Sequence, residues 1–232
     1  MDISQLNKQQ QLAVCSTEGK VRVIAGAGTG KTLVLVNRYA YLVNVLGIDP
    51  HNILCLTFTN KAAQEMRSRL ANMFGIDIKD SFVGTLHGFC LNFLRENYAQ
   101  VGLSEGFTVM DREDCLALAK EVLKEKRGAK NFVYEISDWK YSIKNDYITI
   151  INNDRKQGKS DSFSDPKYQF VCKQQEMNMA DYDDLLLYTH DILMSNKDIC
   201  QEWSDKFDYI MVDEVQDCSI VDWNIINKLS ST

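Results

Sequence analysis

The chain has almost none of the features that mark fibrous, tethered or cross-linked proteins. Only two prolines occur in 232 residues, with no internal repeat and no low-complexity tract, which excludes collagenous and largely disordered classes. No segment approaches the roughly 18 apolar residues of a membrane span, and Met1–Gln5 lacks the basic and then apolar regions of a secretory signal. The expectation is a cytoplasmic protein with no membrane partner. Cysteines are present but not in pairs. Cys15, Cys55, Cys90, Cys115, Cys172, Cys200 and Cys218 are odd in number, lie at least 18 positions apart and form no Cys-x-x-Cys. Neither a disulfide scaffold nor a zinc or iron–sulfur site has that spacing, so reduced thiols packed as small apolar groups are expected.

A strongly basic stripe is missing too. The net charge is −6, yet residues 181–232 alone hold 3 basic and 12 acidic side chains, so all the acidity sits in that stretch. A nucleic-acid surface elsewhere is not excluded, and charge is neutral on partners. The rest is ordinary globular material, 45% hydrophobic and 25% charged, long enough for one large domain or one domain with an insertion.

Periodicity divides the chain into alternating strands and helices. Val21–Ala25 reads as a short buried strand, followed at once by a glycine-rich turn. Leu33, Val36, Ala40 and Val43 then recur at helical spacing. Ile53–Phe58 is a second apolar strand, with Ala63, Met66, Leu70 and Met73 marking the helix after it. Phe82–Gly84 is a third, leading into a helix through Phe89, Phe93 and Leu94. This rhythm with short connections predicts a parallel α/β sheet flanked by helices. From 107 to 180 the rhythm changes: 13 basic and 12 acidic side chains, helices at 114–126 and 136–153, and a polar loop at 158–165 predict a mostly helical inserted subdomain. Leu185, Tyr188, Ile192 and Leu193 resume with a helix, and Phe207–Val212 with a buried strand ending in Asp213 and Glu214. The predicted organisation is therefore a phosphate-loop domain built from 1–106 and 181–232, interrupted by the helical 107–180.

Two motifs carry chemistry. Ala25-Gly26-Ala27-Gly28-Thr29-Gly30-Lys31-Thr32 lies between a predicted strand and helix. Glycines let backbone N–H groups converge on phosphate oxygens, the helix start adds a favourable dipole, Lys31 reaches the β and γ phosphates, and the Thr32 hydroxyl suits Mg²⁺. The spacing G-x-G-x-G does not fit the dinucleotide fingerprint. Asp213 and Glu214 close an apolar strand at the carboxyl end of the sheet, where ligands of open α/β folds bind. Asp213 would hold Mg²⁺ directly or through water, and Glu214 would orient or deprotonate the attacking water.

Six segments in order carry a resemblance: 6–14 (LNKQQQLAV), 25–32 (AGAGTGKT), 57–63 (TFTNKAA), 84–90 (GTLHGFC), 181–186 (DYDDLL) and 213–217 (DEVQD). Together they span nearly the whole chain and resemble the amino-terminal half of the UvrD/Rep/PcrA family of superfamily 1 DNA helicases, whose first domain is RecA-like. The resemblance implies ATP and Mg²⁺ as cofactors, and an adenine-reading role for Gln10, whose register follows from Leu6-Asn7 upstream. It implies Lys31 and Thr32 as triphosphate and metal ligands, Asp213 as second metal ligand, Glu214 as catalytic base and Gln216 as γ-phosphate sensor. It places Phe58, Asn60, Lys61 and His87 in segments that contact single-stranded DNA, with Tyr182 replacing a phenylalanine in another. Single strands and single/double-strand junctions are the implied DNA partners.

The physics of those positions is compatible with the roles. Flat rings at 58 and 182 can stack bases regardless of sequence, and Lys61 beside a helix start suits a phosphate. The residues alone leave Phe58 open between core packing and stacking, and His87 between a structural histidine and a DNA contact. Leu33 stands where many relatives carry an arginine against the base, and Val215 replaces a phenylalanine. The resemblance also implies a second RecA-like domain, which this chain does not contain, and therefore slow hydrolysis by the 232 residues alone. A module of a RecB- or AddA-like helicase-nuclease is an alternative. So is a non-helicase phosphate-loop NTPase such as a kinase or switch, which gives no role to Phe58, Asn60, His87 or Gln216.

Overall fold

The computed structural model describes residues 3–26, 28–76, 78, 81–124, 127–144, 147–149 and 165–230. Two compact units result, one spanning Met1–Leu86, Gln201–Ser219 and Leu229–Thr232, the other His87–Cys200 and Ile220–Lys228.

The first unit grows around an apolar strand, β1 (Ile53–Thr57), whose every residue is buried. A strand buried on both faces needs parallel partners with helical crossovers, and β1 lies between β2 (Phe82–Thr85) and the last strand, β5 (Tyr209–Val212), parallel to both. Helix α1 (Lys8–Cys15) begins in a capping box in which Asn7 and Gln10 exchange bonds. Helix α2 (Lys31–Asn44) turns Val36, Tyr39, Ala40 and Leu42 inward, and α3 (Asn60–Phe74) turns Ala63, Met66 and Leu70. The α2 residues, Met66 and Leu70 pack with Ile53, Cys55, Val83 and Met211 into one core. Met73, expected on the same stripe, is exposed. Thr59 caps α3 by accepting from Ala62 N–H, and Gly75 ends it with φ +64°.

The strand expected at Val21–Ala25 does not form. Residues 21–26 make no ladder, and Val21, Val23 and Ile24 are 42%, 49% and 83% exposed. An apolar run specifies burial only where other elements cover it, and no described element covers this one.

The second unit is mostly helical. It contains α4 (Leu86–Asn97, from His87 on), α5 (Arg112–Leu123), α6 (Ala129–Ser142), α7 (Pro166–Glu176) and α8 (Tyr182–Ser195). The segment 107–180, expected to be helical, lies within it. Two helices there are shifted from expectation, to 112–123 and 129–142; residues 125, 126, 145, 146, 150–164 lie outside the described residues, and with them most of the expected loop. The insertion also carries strands that the sequence did not announce. β3 (Thr108–Val109) and β4 (Met179–Ala180) pair in parallel, too short for any alternation to show. Phe89, Phe93, Phe132, Phe170 and Leu185 are buried, and Tyr147 stacks on Tyr188 at 5.5 Å. All seven cysteines are free thiols; Cys55, Cys90 and Cys115 are buried and Cys15 is exposed. No described helix is long and apolar enough to cross a membrane.

Candidate functional site

Parallel register gathers the chemistry at one edge of the first unit. Leu56 pairs with Val212 and Thr57 with Thr85, so all three strands end together, and Asp213 N–H still donates to Leu56 O at 2.9 Å. Asp213 and Glu214 therefore leave the sheet beside Thr57 and Phe58, at the carboxyl end expected of a ligand site.

The glycine-rich loop supplies the other half. Gly28 and Gly30 adopt φ of +74° and +90°, open to glycine and strained for other residues. A Cβ on Gly30 would also sit 3.1 Å from Gln10 Nε2. Thr29 Oγ1 donates to Gly26 O at 2.8 Å, closing the turn; Ala25 precedes it, and Ala27 lies outside the described residues. No side chain caps the fourteen-residue α2 that follows, so the N–H groups of its first turn, Lys31 and Thr32 included, are available to an anion. Gln10 Oε1 accepts from Asn7 N–H at 2.9 Å while its Nε2 donates to Thr29 O at 3.1 Å, which ties the start of α1 to the loop. Leu33 packs against a small apolar cluster of Leu6, Val14 and Val34.

The two halves meet. Lys31 Nζ lies 3.1 Å from Glu214 Oε2, across 183 positions of sequence, and Gln216 Nε2 donates to the same oxygen. These bonds, Gln216's first and then Lys31's, hold the Glu214 carboxyl below its ordinary range. Asp213 moves the opposite way: burial, and then the charge of Glu214, raise it. Glu214 itself has φ +50°, left-handed for a side chain with a Cβ. The donor set facing a cation would be the Thr32 hydroxyl and the Asp213 carboxylate, hard oxygens that suit Mg²⁺ when phosphate and water supply the remainder. Among the described residues no group of three or more His, Cys, Asp or Glu could hold a metal unaided.

The residues expected at DNA fall on both units. In the first, Phe58 is 48% exposed, which settles its orientation against core packing, and Asn60 and Lys61 lie exposed in the first turn of α3. In the second, Tyr182 is the first residue of α8 and 54% exposed, and its ring meets that of half-buried His87 edge to face, at 5.8 Å and 76°. Burial lowers the His87 pKa, against the opposing pull of Asp222 and Asp183. The sequence reading passed over a fully buried cluster around Lys140 behind the start of α8. Its signal was available, since Phe132, Ile136 and Lys140 share one helical stripe and a lysine there demands partners.

A parallel sheet with a glycine-rich cradle and an acidic strand end at one edge defines an α/β domain of the phosphate-loop class. Sequence comparison gives the narrower assignment: the family model of the UvrD/REP helicase N-terminal domain matches residues 6–232, and the chain belongs to that family. It is 34% identical over 235 residues to a probable DNA helicase II homolog of Mycoplasma capricolum subsp. capricolum, covering 97% of this chain and 32% of that protein. It is 32% identical over 239 residues to the ATP-dependent DNA helicase PcrA of Staphylococcus epidermidis, covering 99% of this chain and 32% of the relative. The chain thus spans about a third of the length of these relatives.

Proposed function

We propose that this chain is the amino-terminal ATP-binding part of an ATP-dependent DNA helicase that moves 3′ to 5′ along single-stranded DNA. The observation that carries the reading is the Lys31–Glu214 contact at 3.1 Å, which brings the phosphate loop and the acidic strand end into one site. Lys31 and the first-turn N–H groups of α2 would bind the β and γ phosphates, and Gln10 would read adenine beside the loop it already touches. Mg²⁺ held by Thr32 and Asp213 would neutralise phosphate charge. Glu214 is the base for the attacking water, and Gln216, bonded to it, senses whether the γ phosphate is present.

In this reading nucleotide binding takes Lys31 from Glu214, which frees the carboxylate to accept a proton from water. Phe58 and Tyr182 stack bases, while Asn60, Lys61 and His87 contact the backbone of single strands or of junctions with duplex. The RecA-like domain comprises 1–106 and 181–232, and 107–180 is its inserted subdomain. A second RecA-like domain, expected from the resemblance, would supply arginines worth about 10³ to 10⁵ in rate, so the 232 residues alone bind Mg-ATP but turn it over slowly. Work in the cytoplasm is part of the same proposal.

Phosphate release by the protein that carries this chain, with and without single-stranded DNA, tests the motor. We expect stimulation by DNA and its loss in Glu214→Gln; a rate indifferent to DNA would contradict the reading.

A further inference from the structure

Behind the first turn of α8 sits a lysine with no access to water. Lys140, on α6, is 0% exposed, and its ammonium donates to Asp181 Oδ2 and Asp184 Oδ1, each at 2.7 Å, and to Gln174 Oε1 at 3.2 Å. Each of its three N–H bonds has an acceptor. Gln174 Nε2 reaches both carboxylates at 3.2 Å, and Tyr147 Oη donates to Asp184 Oδ1 at 2.7 Å.

A buried ion cluster of this kind adds little net stability over an apolar one of the same shape; its distinctive contribution is to fix geometry. The fixed geometry here is that of a helix start. Asp181 is the N-cap of α8 and Asp184 its N3 residue, and each accepts the other's backbone N–H, at 3.0 and 2.9 Å. The same two carboxylates thus cap the helix and receive Lys140. Between them, at the first helical position, stands Tyr182, its ring against His87. One residue further, the Asp183 carboxylate lies near Ser137 and Tyr141, both on α6 as Lys140 is.

We propose that Lys140 is a positioning residue for the nucleic-acid interface: through Asp181 and Asp184 it sets the direction in which α8 begins, and so the angle at which Tyr182 meets His87 and presents its face to a base. The inference rests on the reading of Tyr182 and His87 as DNA contacts. It adds that their geometry is set from a buried lysine more than forty residues away in sequence, on a different helix.

Two measurements on the same variants test it: the affinity of a labelled oligothymidylate by fluorescence anisotropy, and the imidazole proton resonances of His87. Tyr182→Ala should weaken binding about tenfold, the scale of one lost base stack. Lys140→Met should weaken it comparably, and the double variant should bind like Tyr182→Ala alone, because the lysine acts only through the tyrosine. The His87 resonances in Lys140→Met should move toward their positions in Tyr182→Ala, which a general loss of stability would not produce in folded protein. If Lys140→Met does not fold, Lys140→Met/Asp184→Asn, which removes one buried negative charge together with the lysine, takes its place.

Wild-type affinity with unmoved His87 resonances in either folded variant overturns the proposal. So does a loss that multiplies in full with that of Tyr182→Ala. If Tyr182→Ala itself binds like wild type, the interface reading fails, while the positioning of the Tyr182–His87 pair is still decided by the resonances.

Discussion

Glu214 combines two properties that rarely coincide, a left-handed backbone and an acidic side chain held by Lys31 and Gln216. Strain of this kind persists where the surroundings impose it, often at reacting centres. Glu214→Gly should therefore leave the urea midpoint of the nucleotide-free chain unchanged or higher, while ATP hydrolysis falls to background; a clearly lower midpoint would show that the carboxylate is needed for folding. At Phe58 and Lys61 the two kinds of DNA contact separate. Phe58→Ala should weaken oligothymidylate binding about tenfold at every salt concentration. Lys61→Ala should instead flatten the dependence of log affinity on log salt, by about 0.7 for one phosphate on a single strand. Equal salt slopes for wild type and Lys61→Ala would remove Lys61 from the interface. The residues proposed to carry the chemistry were legible as candidates because each belongs to a short local pattern: glycines before Lys31 and Thr32, an apolar strand before Asp213 and Glu214. The Lys140 cluster was legible only in part: the stripe that carries the lysine is local, but its partners Asp181 and Asp184 lie 41 and 44 positions away and only the fold brings them near.

Helices and strands differ in how much of themselves they write into the sequence. Helix α3 keeps its cap at Thr59, its buried stripe of Ala63, Met66 and Leu70 and its glycine stop at Gly75 within one short stretch of sequence. β1 and β5 were visible as apolar runs that the parallel ladder buries or half-buries. The run at 21–25 is also largely apolar, but burial depends on what covers a segment, and local composition does not record that. The two-residue strands β3 and β4 are below the length at which a period of two can be read. Helix α8 carries a pH dependence of its own. An unfolded aspartate titrates near 3.8, and burial beside Asp181 raises the Asp184 carboxyl to about 6. Between those values the folded chain holds a proton that the unfolded chain has released, so this group's stabilisation is complete below about pH 4 and lost as pH rises through about 6. The sign follows from the proton balance between folded and unfolded chain. Urea unfolding at pH 4.5 and 7.5 should show wild type losing more stability across that interval than Asp184→Asn; equal losses would contradict the assignment.

At the scale of the molecule, the chain's two compact units divide the expected contacts: the phosphate loop, the acidic strand end, Phe58, Asn60 and Lys61 belong to one, and His87 and Tyr182 to the other. The alternation of strand and helix was enough to give the class of the first unit. The boundaries of the second were harder to read because its packing draws on distant stretches of sequence, which no window along the chain reveals. The central claim is that loop and strand end form a single Mg-nucleotide site, supported by the Lys31–Glu214 contact. Isothermal titration with a slowly hydrolysed ATP analogue, with and without Mg²⁺, tests it most directly in wild type, Thr32→Val, Asp213→Asn and the double variant. The account predicts that Mg²⁺ tightens binding in wild type, that either substitution removes the gain, and that combining them removes nothing more. A magnesium-dependent gain that survives in both single variants would contradict it.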